Sequence, residues 1–389
     1  MRIAADMDQA PAIRVGLHSA IGAMLAQPVA ALADLPPVAS VAATGYAVRG
    51  IGPWSVTPDR EDELPDGCAV AVREGDPLPL GAHAALPRES AVVEQTAGPD
   101  VVLVGDSATG IPDRRPGMVV PGTGILDPGG EARVGDLLIK AGTVVTAGTV
   151  ALAAAAGVDE LVIVPPATVA PVMMGSDLLA SGPPRRGRNR DIVAPLLPSW
   201  IMGAGARCLP EVPGATSGAE LARQIDSLGA DLTVLTATAE PGVGHAVGDA
   251  LRHLQAEILI DRLAADPARE VLLAELRDGR RLLALPREPA AAIVALAALL
   301  TPMMAALSGR STARVATVML RESLPLVHHE RAVAVQIEVG ELADLGTVQP
   351  WSGPHGLAAV GTADAIAFID PGRGSRGDSV PVVPLPGRP

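Results

Sequence analysis

Between Ala230 and Pro289 the chain alternates its local preferences in a way that few architectures accommodate. ADLTVLTATAEPGVGHAVGDAL gives a run of strand formers, a turn marked by Pro and Gly, and a helix-period stretch. A second strand follows, then RLAADPAREVLLAEL, then RRLLALPREPAAAIVALAAL, in which a Pro-x-x-Pro turn separates a strand from another helix. Strand, glycine-bearing turn, helix, strand, loop, strand, turn, helix is the order of a ligand-binding α/β domain, whose turns face a ligand at the strand ends.

The rest of the chain is too long for that one core. At 389 residues it is expected to form two to four domains. Mean hydropathy is +0.33, but the apolar residues fall in short Ala- and Val-rich runs broken by 42 glycines and 37 prolines, so no membrane span is expected. MRIAADMDQAPAIRVGL has no basic start followed by an apolar core, which leaves a cytoplasmic location as the expectation. A net charge of -13 argues against holding a nucleic-acid backbone. Cys68 and Cys208 stand far apart without CxxC spacing, which excludes a disulfide framework and a zinc site built on cysteine pairs. With one Phe and one Tyr, there is little aromatic surface on which to stack a planar ligand.

Four parts are expected along the chain. Residues 1–44 with 129–164 read as a helical or mixed domain, in which Ile13 to Leu32 has apolar residues at helical spacing and Thr149 to Ala156 forms a helix stopped by Gly157. Residues 45–128 read as an inserted small β domain, 165–310 as an α/β domain and 311–389 as a C-terminal β domain.

Several phrases in this order resemble one family. Asp34 to Gly50, DLPPVASVAATGYAVRG, is similar to D-L-P-P-x-x-x-S-A-M-D-G-Y-A-V, and Gly75 to Ala82, GDPLPLGA, to T-G-A-P-L-P-E-G-A. Gly135 to Gly157 follows G-D-x-L-x-x-A-G, and Ser352 to Leu357 with ADAIAFIDPG follows G-S-H-x-L and its trailing strand. The turns after the α/β strands, Thr236 to Gly242, Asp266 to Glu270 and Leu285 to Pro289, stand where T-G-G-x-S-x-G, K-P-G-K-P and L-P-G-N-P are found. The chain thereby resembles the molybdopterin molybdenumtransferases, the MoeA proteins and the E domain of gephyrin. This implies an elongated MoeA-like subunit, multidomain α/β and β, with a central three-layer α/β domain, an inserted small β domain and a C-terminal β domain.

The resemblance further implies a homodimer in molybdenum cofactor biosynthesis that inserts molybdate into adenylylated molybdopterin, with magnesium, and releases AMP. Carried over position by position, Asp177 is the retained acid expected to hold metal or molybdate. Thr236 and Gly242 face the ligand, Arg269 supplies charge, and Pro286, Arg287 and Pro289 form the last turn of the site. Other positions differ. Thr44 stands for the M-D-G-Y-A aspartate, Glu74 for the T-G-A-P threonine, Pro354 for the G-S-H serine and His245 for an aspartate, while Gly214, Ala215 and Thr216 replace an acidic pair. Asp266 stands for the first K-P-G-K-P lysine; at about 4 Å from a phosphate and an effective dielectric of roughly 20, that inverts an interaction of about 4 kcal/mol. Arg287-Glu288 replaces Gly-Asn, where Glu288 is expected to pair with Arg287 or lie on a solvated edge. Two readings therefore stay open: the family's transferase, or a non-catalytic paralogue acting as a ligand-binding or protein-docking scaffold.

Three further features stand outside that resemblance. Pro183 to Arg190, PPRRGRNR, is a solvated loop or an anion-binding lip, since guanidinium forks fit phosphate and molybdate. His328-His329-Glu330 would point to opposite faces if on a strand and would need a distant third ligand. His245 is a helix-start residue or a base near neutral pH. No Walker, H-E-x-x-H or Gly-x-Ser-x-Gly pattern occurs.

Overall fold

In the α/β domain, the strands Thr168–Met173, Leu232–Leu235 and Arg281–Ala284 run parallel and in register, with Val172 opposite Leu235 and Leu235 opposite Ala284. Four buried residues in a row on two of these strands identify strands covered on both faces. Arg207–Cys208 and Val212–Pro213 extend the sheet on one side, and the antiparallel strands Leu272–Glu275 and Glu257–Ile260 on the other. This computed structural model describes residues 10–58, 63–105, 112–113, 117, 119–175, 178–185, 188–236, 238, 243–310, 316–341, 343–351 and 356–387.

Alternate residues of each strand face different helix layers. Val169, Val234, Leu273 and Leu283 pack with the helices Leu197–Gly203 and Pro289–Ala295, whereas Val172, Leu235, Leu282 and Ala284 pack with the helices Gly218–Leu228 and Val243–Leu254. The three-layer order expected from the sequence is the one observed. Ser217 caps the Gly218–Leu228 helix through the Glu220 amide, and Gly229 ends it in the left-handed conformation. At the starts of two strands, the Asp231 carboxylate accepts from both the amide and the hydroxyl of Thr168 at 2.7 Å.

The helix opening at Pro289 continues to Leu307. Its 19 residues are apolar enough to span a membrane by length and composition, but most of them pack into the core of this domain. Leu296–Leu300 is a π-helical turn in its middle, where the Thr301 hydroxyl donates to the carbonyl of Leu296 at 3.3 Å and accepts from the Trp200 indole at 3.0 Å.

The C-terminal strands Ala316–Leu320, Leu345–Gln349, Arg331–Glu338, Ala365–Ile369 and Ser379–Pro384 close into a barrel in that order. Val318, Val335, Ala367 and Val382 are among the residues that fill it. The α/β domain and the barrel belong to one compact unit, residues 1–14, 22–26 and 162–389; the other unit is 15–21 with 27–161.

That second unit holds a β sheet in the order Pro112–Asp113, Val101–Gly105, Trp54–Val56, Cys68–Val72, Gly45–Val48, Ala84–Pro87, with Ala91–Glu94 added to Val101–Gly105. Trp54, 1% exposed, anchors one face and Val41, Val70 and Val72 the other. The helix expected at Thr149 to Ala156 spans Ala147–Ala155, capped by Thr146, and Gly157 follows at φ +82.

The helix expected over Ile13 to Leu32 is absent. Ile13–Gly16, Met24–Leu25 and Val29–Ala30 are strands, joined by a single 3-10 turn at Leu17–Ser19. Gly22, at φ +85, and Pro28 interrupt the run, and the short strands are held by distant partners: Met24 and Leu25 by Val164 and Ile163, Val29 and Ala30 by Ile139 and Leu137.

Candidate functional site

The connections of the central sheet diverge at one place. From Thr168–Met173 the chain goes to the short strands on one side, then crosses to Leu232–Leu235 on the other, so the crevice between the carboxyl ends of these two strands is the topological switch point. Because the parallel strands are in register, Met173, Thr236 and Leu285 emerge at one level, with Met174 one residue beyond. Thr236 is 1% exposed, and its hydroxyl accepts from the Met174 amide at 3.2 Å while its own amide donates to Val172 at 3.1 Å. Thr236 therefore ties the two strand ends together. The next described residue, Thr238, donates from both amide and hydroxyl to the carbonyl of Leu285, at 3.0 and 2.9 Å.

Gly214 closes the crevice from the third side. Its amide donates to Met173 at 2.9 Å, and a Cβ at this position would overlap the Met174 sulfur. A side chain there would have to displace the Met174 thioether. Asp177 and Gly242, both expected at the site, lie outside the described residues.

In the turn after Arg281–Ala284, Pro286 and Pro289 are buried and Arg287 is half-buried. The Glu288 carboxylate accepts from the Ala291 amide at 2.6 Å, making Glu288 the N-cap of the Pro289–Ala295 helix. The expectation for Glu288 is corrected by this bond. The residue is in the N-cap position with a Pro directly after it, so its carboxylate satisfies an otherwise unpaired helix amide. That amide would otherwise be a donor available to an anion at the helix start.

Arg269 is neutralised in a similar way. Its Nε lies 3.2 Å from the Asp266 carboxylate, both side chains being more than half exposed. The backbone of Asp266 is in turn docked on the barrel: its amide donates to Glu330 at 3.1 Å, and its carbonyl accepts from Ala332 at 2.8 Å.

Between these two barrel contacts sits Arg331, which sequence reasoning missed. Its Nε and Nη2 are buried and have no hydrogen-bond partner, and burial without a counter-charge lowers its pKa. The guanidinium lies against Gly374, where a Cβ would come within 2.9 Å of Nη2. A buried guanidinium with unused donors is the environment of an anion site. Nothing local in HHERAV distinguishes this arginine from the chain's many others; the signal lies in its burial.

In the other unit the two substituted positions meet. The Glu74 amide donates to the Thr44 hydroxyl at 3.2 Å, so the positions matching the family's aspartate and threonine are adjacent, with a different pair of groups.

The remaining candidates are dispersed. Arg185 and Arg188 exchange backbone hydrogen bonds, and Arg190 donates to the Leu179 carbonyl at 2.9 Å. His328 and His329 lie in a bend before the Arg331–Glu338 strand instead of on a strand. His245 is exposed in the first turn of the Val243–Leu254 helix. The Cys208 thiol is half-buried, its pKa raised by burial and by Glu211, which makes it a poor nucleophile. Among the described residues no group of three or more His, Cys, Asp or Glu is placed to hold a metal ion.

Residues 2–157 match a family model described as the MoeA N-terminal region, domains I and II. The chain is 28% identical over 269 residues to molybdopterin molybdenumtransferase 2 of Mycobacterium tuberculosis, covering 64% of this chain and 63% of that protein. It therefore spans somewhat less than two thirds of that relative. It is also 28% identical over 316 residues to a molybdopterin molybdenumtransferase of Synechococcus elongatus, covering 75% of each. In fold it is similar to the molybdopterin biosynthesis MoeA protein of Pyrococcus horikoshii, with a TM-score of 0.70, 18% identity and coverage of 100% of this chain and 98% of that one. A molybdenum cofactor biosynthesis protein of Pyrococcus furiosus is similar at a TM-score of 0.54 and 14% identity, covering 98% and 95%. In its N-terminal region, its relatives and its fold, the chain is thus similar to the MoeA proteins.

Proposed function

We propose that the chain works in molybdenum cofactor biosynthesis and holds a molybdopterin-type ligand at the carboxyl ends of the parallel strands. The observation that carries this is the rim of Met174, Gly214, Thr236 and Leu285 at the carboxyl ends of the strands, with the unpaired donors of Arg331 on the barrel strand that meets the Asp266 loop. On this reading Thr236 and Pro289 hold the frame, Arg331 and Arg287 contribute charge, and Asp177 is the acid toward molybdate. The adenylylated form is the substrate, and AMP leaves as the metal enters.

A second reading is favoured by two bonds. Asp266 takes up the charge of Arg269, and Glu288 takes up a helix amide, so two groups that would attract a phosphate are satisfied within the chain. A family member with these donors occupied serves as a ligand-binding or docking protein without transferase activity. Expression in a bacterial strain lacking its own molybdopterin molybdenumtransferase separates the two. Restored growth by nitrate respiration establishes the transferase, and failure with soluble, folded protein establishes the second reading.

The partner proposed is a second copy of the chain. The Ala147–Ala155 helix buries only Ala153 within its unit, and Leu32, Leu137 and Leu152 are exposed around it at 64%, 56% and 39%. Sedimentation equilibrium is expected to give a dimer, and Leu152→Asp to shift it toward monomer; a wild-type monomer at micromolar concentration rejects the proposal.

A further inference from the structure

The Val243–Leu254 helix carries Gly244 and Gly248 one turn apart. A glycine inside a helix is destabilising relative to alanine, and close packing is its common structural reason. That reason is missing here. A Cβ built on Gly248 meets no heavy atom within 4 Å, and one on Gly244 meets only the Thr238 carbonyl at 3.3 Å. What the two glycines leave is a cavity of about 390 Å³, within the range of small-molecule sites.

Its walls are Val247 and Leu251 from the helix and Ile258 and Leu272 from the antiparallel strands, so it is largely apolar. It lies on the side of Leu232–Leu235 away from the switch point, sharing with the proposed site only the turn residue Thr238. At its mouth Ile258 is 51% exposed, and Gln255 takes φ +51 at the helix end, a position that glycine fills most easily. The Gln255 side-chain amide makes no hydrogen bond to the described residues. Arg252, also at the mouth, is ion-paired with Asp249, so the opening presents no unbalanced cation.

We infer that this groove takes an uncharged, largely apolar small molecule, with its body along Val247, Leu251, Ile258 and Leu272 and a carbonyl or amide group paired with Gln255. Charge at the mouth is balanced and the chain as a whole is strongly acidic, both of which discriminate against anions. The inference does not depend on the molybdopterin reading, because Gly248, Gln255 and Ile258 lie outside the proposed site.

The test uses the full chain and the neutral fluorophore N-phenyl-1-naphthylamine. Saturable one-to-one binding is expected. Gly248→Leu fills the groove while improving helix propensity, and is expected to weaken binding at least tenfold with circular dichroism unchanged. Ile258→Gln, at a half-exposed site where folding is not at stake, is expected to weaken it several-fold. In displacement, 1-naphthamide is expected to compete at least tenfold better than the similarly shaped anion 1-naphthoate, and Gln255→Ala to reduce that advantage. The inference is overturned by an absence of saturable binding, by wild-type affinity in both Gly248→Leu and Ile258→Gln, or by naphthoate competing as well as naphthamide.

Discussion

Thr238 gives both its amide and its hydroxyl to one oxygen, the carbonyl of Leu285, and so joins the turns that follow two adjacent parallel strands. Thr238→Val keeps the shape and the backbone bond but removes the hydroxyl. The expected loss is about 1 kcal/mol, read as a lower urea midpoint at unchanged slope. Thr238→Ser is expected to recover most of it. A valine variant as stable as wild type means that the hydroxyl bond contributes nothing.

Glu288 has two opposed consequences. As the helix cap it stabilises the fold, so Glu288→Ala is expected to lose about 1 kcal/mol in chemical unfolding. Glu288→Asn can still cap but carries no charge, and is expected to bind pyrophosphate more tightly than wild type by calorimetry. Equal affinity in the two proteins removes this turn from the proposed phosphate site.

Asp266→Lys separates charge from stability in the same region. The pair with Arg269 is exposed, and breaking it is expected to cost less than about 1 kcal/mol. Pyrophosphate affinity is expected to rise at low salt and to fall back as ionic strength increases. A salt-independent affinity equal to that of wild type counts against the loop.

Arg331 pays for its position in desolvation. Its buried Nε and Nη2 have no partner, so Arg331→Met, similar in length and uncharged, is expected to leave stability unchanged or raise it by about 1 to 3 kcal/mol. Pyrophosphate binding is expected to drop at least fivefold. A strongly destabilised methionine variant assigns the arginine a structural role instead.

The Asp378 carboxylate accepts the amides of Gly374 and Ser375, both at 2.9 Å, and these bonds hold its pKa below the usual carboxylate value. A folded-state pKa below the unfolded one gives a contribution that is complete above about pH 4 and is lost as pH falls through the folded value. Asp378→Asn is expected to flatten the acid limb of the stability profile while leaving the neutral region parallel to wild type. An unchanged acid limb in equilibrium unfolding shows that this turn does not titrate with folding.

What the sequence made legible follows the range of the forces involved. The segment from Ala230 to Pro289 was readable because its turns are marked locally by Pro and Gly, and the two helices flanking them have a clear period. The N-terminal strands are not legible locally because their partners, Leu137, Ile139, Ile163 and Val164, are more than a hundred residues away. The site divides along the same line. The identity of Glu288 is plain in sequence, but its capping bond depends on where the helix starts; the unpaired state of Arg331 depends on a barrel that closes only when five separate strands meet.

The π turn at Leu296–Leu300 fixes the phase of the long core helix. A π turn contains one residue more than the α-helical turn it replaces, so the two halves of the helix are rotated about its axis by roughly 100° relative to an uninterrupted repeat. Pro289 to Ala295 and Thr301 to Leu307 both pack into the same core, and Thr301 is brought within hydrogen-bonding reach of the Trp200 indole. Deleting one residue between Leu296 and Leu300 would restore a regular helix and at the same time turn every side chain after it away from its present neighbours. The irregular turn therefore works as a spacer, preserved by the packing of everything downstream of it.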